Sequence, residues 1–402
     1  MAVDDLWYLT RRDPETGERC PSRRHGRGKR WRVRWSDPHT GETRTELFER
    51  KADAERHDRS MHADISRGQY IDPRAGKITI AEYAAQWRTH QLHRDSTADM
   101  VERAFRLHIL PVLGHVPIAD ARASHIRAWV KATAENLFAS TVHLVYSYVK
   151  SMFAAAAIDK IIASSPCVGI RLPEVRNREY FIPEPGQIHH LVEEISERYS
   201  PIPYVAAGCG LRVSEIFGLE LGQIDFLSRE VHVRQPLKRM PGVPPYLGEL
   251  KTKTSRRTIE LPEIVQLALA RHIERYPIRE IVIEDRTNVR NIHQRSARLL
   301  FLTAHGRPLH RSNWSAVWRV AVRRAGLPVG FGLHGLRHYF ATLLIHNGAA
   351  VKTVQLALGH STPMITLNTY AHEWPDALDR TRTLVDAALG SHPMTAAATA
   401  GQ

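Results

Sequence analysis

The stretch FGLHGLRHYFATLLIHNG, residues 331–348, decides how the largest segment of the chain is read. It reads as one amphipathic helix, and Asn347-Gly348 supplies its stop. Three basic side chains crowd the start: His334, Arg337 and His338. Two chemistries compete for them. His334 and His338 stand four apart, a spacing that lets two imidazoles grip one metal ion. His334 and Arg337 stand three apart, a pair that could hold a phosphate.

Around that helix lies a chain of 402 residues with 43% hydrophobic content. That length suits two or three domains with sizeable cores. The formal net charge is +14, mostly from arginine, which favours a polyanionic partner and nucleic acid first, because the guanidinium matches phosphate oxygens. No apolar run has the length of a membrane span, so a membrane partner is not expected. The opening MAVDDLWYLTRRDPETG is polar and acidic and reads as no cleavable signal. Cys20, Cys167 and Cys209 are odd in number, far apart and in no C-x-x-C pair. A reduced, cytoplasmic protein is the expectation, associated with the nucleoid if its partner is DNA.

Three domains and a tail are expected: 1–73, 77–173, 174–390, and a disordered stretch 391–402. In the first, RWRVRW alternates arginine with aromatic and aliphatic residues, as a half-exposed strand does, and TRTELF reads as its returning partner. A helix closed by Gly68 follows. The result is a small β-sheet backed by a helix, with Arg30, Arg32 and Arg34 as candidate DNA contacts on one face. The second domain reads as all-α, with four to five helices and breaks at Pro111, Gly114, Pro117 and Pro166. The third is mainly α with one β-rich interruption, an α+β domain. RLPEVRNREYFIPEPGQ is the linker that precedes it.

Four islands in the third domain carry chemistry. GCGLRVSEIFGL places Arg212 and Glu215 three apart on one face of a short helix, where the carboxylate fixes how the guanidinium points. LKTKTSRRTIEL places Lys251 and Lys253 at the bend of a hairpin, where a lysine could protonate a leaving oxygen. The third island is the opening helix, joined by LALGHS, which delivers His360 to a loop beyond Gly359. In STPMITLNTYAH, Thr362-Pro363 gives an N-cap and a proline at the first helical position, with Tyr370 two turns on. Two arginines, two histidines, a lysine and a tyrosine are what metal-free phosphodiester transfer requires. Guanidiniums neutralise a pentacoordinate phosphate, a tyrosine attacks beside that positive site, and a lysine or histidine protonates the departing 5′ oxygen.

In GLRVSEIFGL, LKTKTSRRTIEL, HGLRHYFATLLIHNG, LALGHS and LNTYAH, in that order, the chain resembles the tyrosine recombinase family, specifically phage-type integrases. The resemblance implies an arm-type DNA-binding domain, a core-binding domain and a catalytic domain. It makes Tyr370 the nucleophile of a 3′-phosphotyrosyl bond, Arg212 and Arg337 the phosphate clamp, and His334 and His360 its hydrogen-bonding partners. Glu215 would brace the site. Lys251 is taken as the lysine because the family's lysine directly precedes a threonine here; Lys253 shares that feature. Double-stranded DNA at core and arm sites, a homotetramer on it, and an accessory bending or directionality protein are the implied partners, with no cofactor and no metal. A non-cleaving DNA-binding regulator and a metal-dependent hydrolase are the alternatives. For metal, the glutamate of H-E-x-x-H is missing between His334 and His338, and Arg337 would oppose the ion. The phosphate reading is preferred, and His338 is assigned a structural or outer role.

Overall fold

A computed structural model describes residues 2–38, 40–72, 74–175, 180–374 and 385. The chain divides into two compact units, 1–177 and 178–402. The expected disordered tail, 391–402, lies outside the described residues.

In the first unit, the alternation of RWRVRW decides the small sheet. Val33 and Trp35 are buried while Arg34 is exposed. Strand β4 (Trp31–Ser36) pairs with β5 (Thr43–Phe48) on one side and β1 (Ala2–Asp5) on the other, both antiparallel. Between β1 and β4 a separate ribbon forms from β2 (Tyr8–Arg12) and β3 (Arg19–Pro21). The polar, acidic opening therefore holds two strands that its composition did not announce. Helix α1 (Lys51–Ser66) covers the apolar face, and the Trp35 indole donates to the Tyr70 hydroxyl at 2.9 Å.

A larger helical cluster follows. Thr79 caps α2 (Ile80–Thr89) through a reciprocal bond with Glu82. Helix α3 (Asp95–Ala104) then runs without a break through a π-helical turn, Phe105–Ile109, into α4 (Leu110–Leu113). The expected break at Pro111 does not occur. Proline cannot donate to the carbonyl one α-turn back, and the wider turn, with Leu110 N–H bonded to the Phe105 carbonyl, sets a register that tolerates it. Helices α5 (Ala123–Ala134) and α6 (Ala139–Ile158) close the cluster, and buried Trp129 donates to the His108 carbonyl.

The second unit begins with α7 (Pro185–Glu194), α8 (Pro201–Cys209) and the short α9 (Val213–Phe217). Strands β6 (Ile224–Asp225), β7 (Glu230–Val233), β8 (Leu237–Lys238), β9 (Tyr246–Gly248) and β10 (Arg257–Glu260) come next. Helix α10 (Glu263–Arg275) leads to a β-pair not expected from the sequence, β11 (Ile281–Arg286) and β12 (His293–Ala297). Its inward positions include the charged Asp285, held by Arg295, which hides the apolar alternation. Two sheets result, ordered β10-β7-β6 and β12-β11-β9-β8. Helices α11 (Arg311–Arg324), α12 (Leu333–His346), α13 (Val351–Leu358) and α14 (Pro363–Tyr370) complete the unit. The last three form their own cluster around Phe340, Ile345, Val354 and Leu358, and Tyr370 belongs to it.

Two local expectations need correction. LKTKTSRRTIEL is no hairpin, because β9 and β10 sit in different sheets. The connection holding Lys251 and Lys253 changes sheet through a 3₁₀ turn pinned by Thr252 and Ser255. Thr362 makes no capping bond from its side chain, although Pro363 does open α14.

Among the described residues, no helix is long and apolar enough to cross a membrane.

Candidate active site

The site forms at the C-terminal end of α13. A helix leaves its last carbonyls unsatisfied and partly negative, and three guanidiniums arrive to take them. Arg257 Nε donates to the Ala357 carbonyl at 2.8 Å, Arg337 to Leu358 at 2.6 Å, and Arg212 to Gly359 at 3.2 Å. Arg337 also donates to the Gly210 carbonyl, tying α12 to the turn after α8. Gly210 and Gly359 both have positive φ, and the space is full as well. A Cβ on Gly210 would lie 2.3 Å from the Phe340 ring, and one on Gly359 would lie 3.0 Å from the Arg257 guanidinium.

Among the described residues Glu215 is the one carboxylate in this cluster, and it is only 3% exposed. It accepts from the Arg212 guanidinium at 2.8 Å and from Arg257 at 2.9 and 3.2 Å. It also takes the Arg212 backbone N–H at 2.9 Å. Arg212 therefore stands in extended backbone just before α9, not on a helix face as expected. Burial works against the charge of Glu215, but Arg257 and Arg212 outweigh it and hold its carboxyl below the usual range. Burial pulls Arg337 down to about 9, with repulsion from Arg212 adding to it, so Arg337 is still a cation at neutral pH.

Three histidines line the same region. His360 Nδ1 shares a hydrogen bond with the Thr366 hydroxyl at 2.9 Å. Burial and the surrounding arginines push His360 down to about 4 and lower His334 as well, so both are neutral at neutral pH. Sequence reasoning gives His338 an outer role, yet its Nδ1 lies 2.7 Å from the Tyr370 hydroxyl. Among the described residues no group of three or more His, Cys, Asp or Glu is placed to hold a metal ion. Tyr370 is buried, and burial raises its hydroxyl well above the ordinary phenol range, while Arg337 pulls the other way.

The structure thus brings Arg212, Glu215 and Arg337 into one hydrogen-bonded group around α13. His360 follows in the loop, and α12 and α14 supply His334 and Tyr370. Lys251 and Lys253 are exposed on the connection before β10, whose Thr254 carbonyl abuts Gly359. Arg30, Arg32 and Arg34 lie in the other unit, and each is engaged by an aspartate of β1. Arg30 pairs with Asp5 at 2.8 Å, while Arg32 and Arg34 pair with Asp4 at 2.8 and 2.9 Å. Sequence reasoning missed Arg257 and His338. Strand alternation carried a signal for the first, since Arg257 shares its side of β10 with buried Ile259. For the second, the four-residue spacing from His334 suggests a metal pair and gives no hint of a phenol.

Known proteins resemble this chain over most of its length. The profile described as the Phage integrase family matches residues 185–376. A second, the Phage integrase N-terminal SAM-like domain, matches residues 79–133. The integrase of Mycobacterium phage D29 is 26% identical over 296 residues, 73% of this chain and 74% of that protein. The transposase of transposon Tn916 from Enterococcus faecalis is 26% identical over 333 residues, 78% of each chain. Among solved structures, the Tn1549 transposon integrase in complex with a circular intermediate DNA superposes with a TM-score of 0.66 at 25% identity, over 77% of this chain and 99% of that one. A lambda integrase dimer bound to a core site shares the fold, with a TM-score of 0.56 at 15% identity over 85% of this chain and 94% of that one.

Proposed function

This chain belongs to the phage integrase family of tyrosine recombinases, and on that premise we propose that Tyr370 is the nucleophile with which it cuts and rejoins DNA. It is a site-specific recombinase of the kind that integrates mobile elements. The observation that carries the site assignment is a buried tyrosine within the field of Arg337, on a helix packed against α13, whose end gathers three guanidiniums with, among the described residues, the single carboxylate of Glu215. Such a surplus of fixed positive charge is matched by a phosphodiester, and it grows in value as charge builds on the pentacoordinate phosphorus.

In this reading Tyr370 Oη attacks phosphorus, the bond to the 5′ oxygen breaks, and the protein keeps a 3′-phosphotyrosyl link. Arg212 and Arg337 hold the phosphate oxygens. Neutral His334 and His360 donate hydrogen bonds without adding charge, and Glu215 with Arg257 braces Arg212. Lys251, or Lys253 on the same connection, protonates the 5′ oxygen. The freed 5′ hydroxyl of one strand then attacks a phosphotyrosine on the other, so the bond energy is conserved. Double-stranded DNA is the partner. A homotetramer follows from the need to cut two strands at each of two sites. Residues 1–73 would hold an arm site, 77–173 and 174–390 the core site, and an accessory protein would bend the DNA between them.

The test is covalent trapping in EDTA with nicked fragments of the source genome, comparing the chain with Tyr370→Phe. Protein-linked DNA at a few sites, absent from the variant, is the expected result. Duplex binding with no adduct at any site would point to a regulator that does not cut, and loss of cleavage in EDTA to a metal-dependent hydrolase.

A further inference from the structure

We propose that His338 aims the Tyr370 hydroxyl and accepts its proton as that hydroxyl attacks phosphorus. The proposal deepens the recombinase reading and rests on it. Among the described residues, the bond to His338 Nδ1 is the one hydrogen bond of Tyr370 Oη. Tyr370 is 3% exposed, so bulk water competes little for it. With Nδ1 as its one partner, the buried Oη–H is satisfied only in the tautomer whose lone pair lies on Nδ1, and we take that tautomer. The bond therefore runs from Oη–H to Nδ1, with the imidazole proton on Nε2.

The His338 ring is packed from three directions. Tyr180, in the segment before α7, stacks on it with ring centres 3.9 Å apart and planes 25° apart. His334 meets it edge-on at 4.7 Å, and Tyr370 at 5.4 Å. A ring held in this way keeps Nδ1 toward the phenol, which is the arrangement an activated nucleophile needs from its base. Burial and the neighbouring His334, Arg337 and His360 keep the imidazole unprotonated, so the lone pair is available at neutral pH. His360 shares its Nδ1 with Thr366 and, among the described residues, makes no hydrogen bond to the Tyr370 hydroxyl.

The step balances. As the bond from Oη to phosphorus forms, the Oη–H bond breaks and its proton passes to Nδ1, while the 5′ oxygen departs with a proton from a separate donor. In the rejoining step the incoming 5′ hydroxyl displaces Tyr370 and gives its proton back to the donor that supplied it in cleavage, while Nδ1–H returns the other proton to the leaving phenol oxygen.

The experiment uses the full chain and the nicked duplexes recovered by trapping, in single-turnover cleavage. Each duplex is made with the normal 5′ oxygen and with sulfur at that bridging position, because a thiolate leaves without a proton. His338→Phe is expected to cleave about 100-fold more slowly than wild type on both duplexes while binding them equally well. His338→Asn, whose amide oxygen can accept the phenol bond but takes up no proton, is expected to fall between. It also carries the test if His338→Phe does not fold. Lys251→Ala should be slow on oxygen and restored by sulfur, which separates the two proton transfers. The proposal is overturned if the His338 variants cleave as fast as wild type or faster, or if sulfur restores them. Failure of wild type to form any Tyr370 adduct would instead sink the recombinase reading itself.

Discussion

On the N-terminal sheet, Arg30, Arg32 and Arg34 are each met by a carboxylate of the neighbouring strand, at a half-exposed surface. Around the end of α13, Arg212, Arg257 and Arg337 have, among the described residues, Glu215 as their one carboxylate, and backbone carbonyls are their other partners. The two regions use the same side chain under opposite terms. A carboxylate fixes a guanidinium and also cancels its charge. A carbonyl fixes it with a dipole and leaves the charge in place. The second arrangement costs desolvation, because a buried cation without an anion is expensive. It keeps what a phosphate binder needs, which is rigid donors with unspent charge.

The largest effect expected from this contrast is at Arg337. Arg337→Lys keeps the charge but loses the fork that spans the Gly210 and Leu358 carbonyls, so single-turnover cleavage should fall by about 10³-fold. A variant that cleaves normally would mean that charge alone suffices there and that the carbonyl scaffold is incidental. A step smaller is Glu215→Gln, which leaves the buried Arg257 without its anion and should cost about 3 kcal/mol of stability at pH 7. Its pH dependence has a definite sign. The Glu215 carboxyl is held below its unfolded value, so its contribution is complete above that value and is lost as pH falls through the folded one. Urea melts of wild type and Glu215→Gln should therefore converge below about pH 4.5, the range where an ordinary glutamate is protonated. A gap that stays constant down to acid would show that shape, not charge, sets the role of Glu215.

How far the sequence reached follows the same physics. Alternation in RWRVRW is local, and it stands in the structure as read. The candidates Arg212, His334 and His360 stand out in the sequence because each lies at an element boundary beside a glycine, whereas Arg337 sits one turn inside α12 and Tyr370 ends α14. Partners across the fold were not legible. Nothing near Arg32 says that Asp4, on a strand hidden in an acidic opening, will lie opposite it. Nor does TKTSRR show that β10 belongs to a different sheet from β9, since register between sheets is settled by packing at long range. His338 escaped for a different reason. Its spacing from His334 is plain in the sequence, but the partner that explains it arrives from another helix, α14.

The smallest expected effect tests the N-terminal half of the comparison. Asp4 Oδ2 takes both Arg32 and Arg34 on the open face of the sheet. Such exposed pairs contribute little, so Asp4→Asn should change stability by about 1 kcal/mol or less. If these arginines reach a DNA backbone, removing Asp4 frees charge for it. Duplex affinity at low salt should then rise, and the slope of log affinity against log salt should steepen by about 0.9 for each additional phosphate neutralised. The same kind of substitution thus has opposite outcomes in the two units, weakening the fold at Glu215 and strengthening DNA binding at Asp4. An Asp4→Asn protein with unchanged affinity and slope would remove Arg32 and Arg34 from the DNA surface. The exposed, basic loop that follows β3, with Arg23, Arg24 and Arg27, would then be the next place to look.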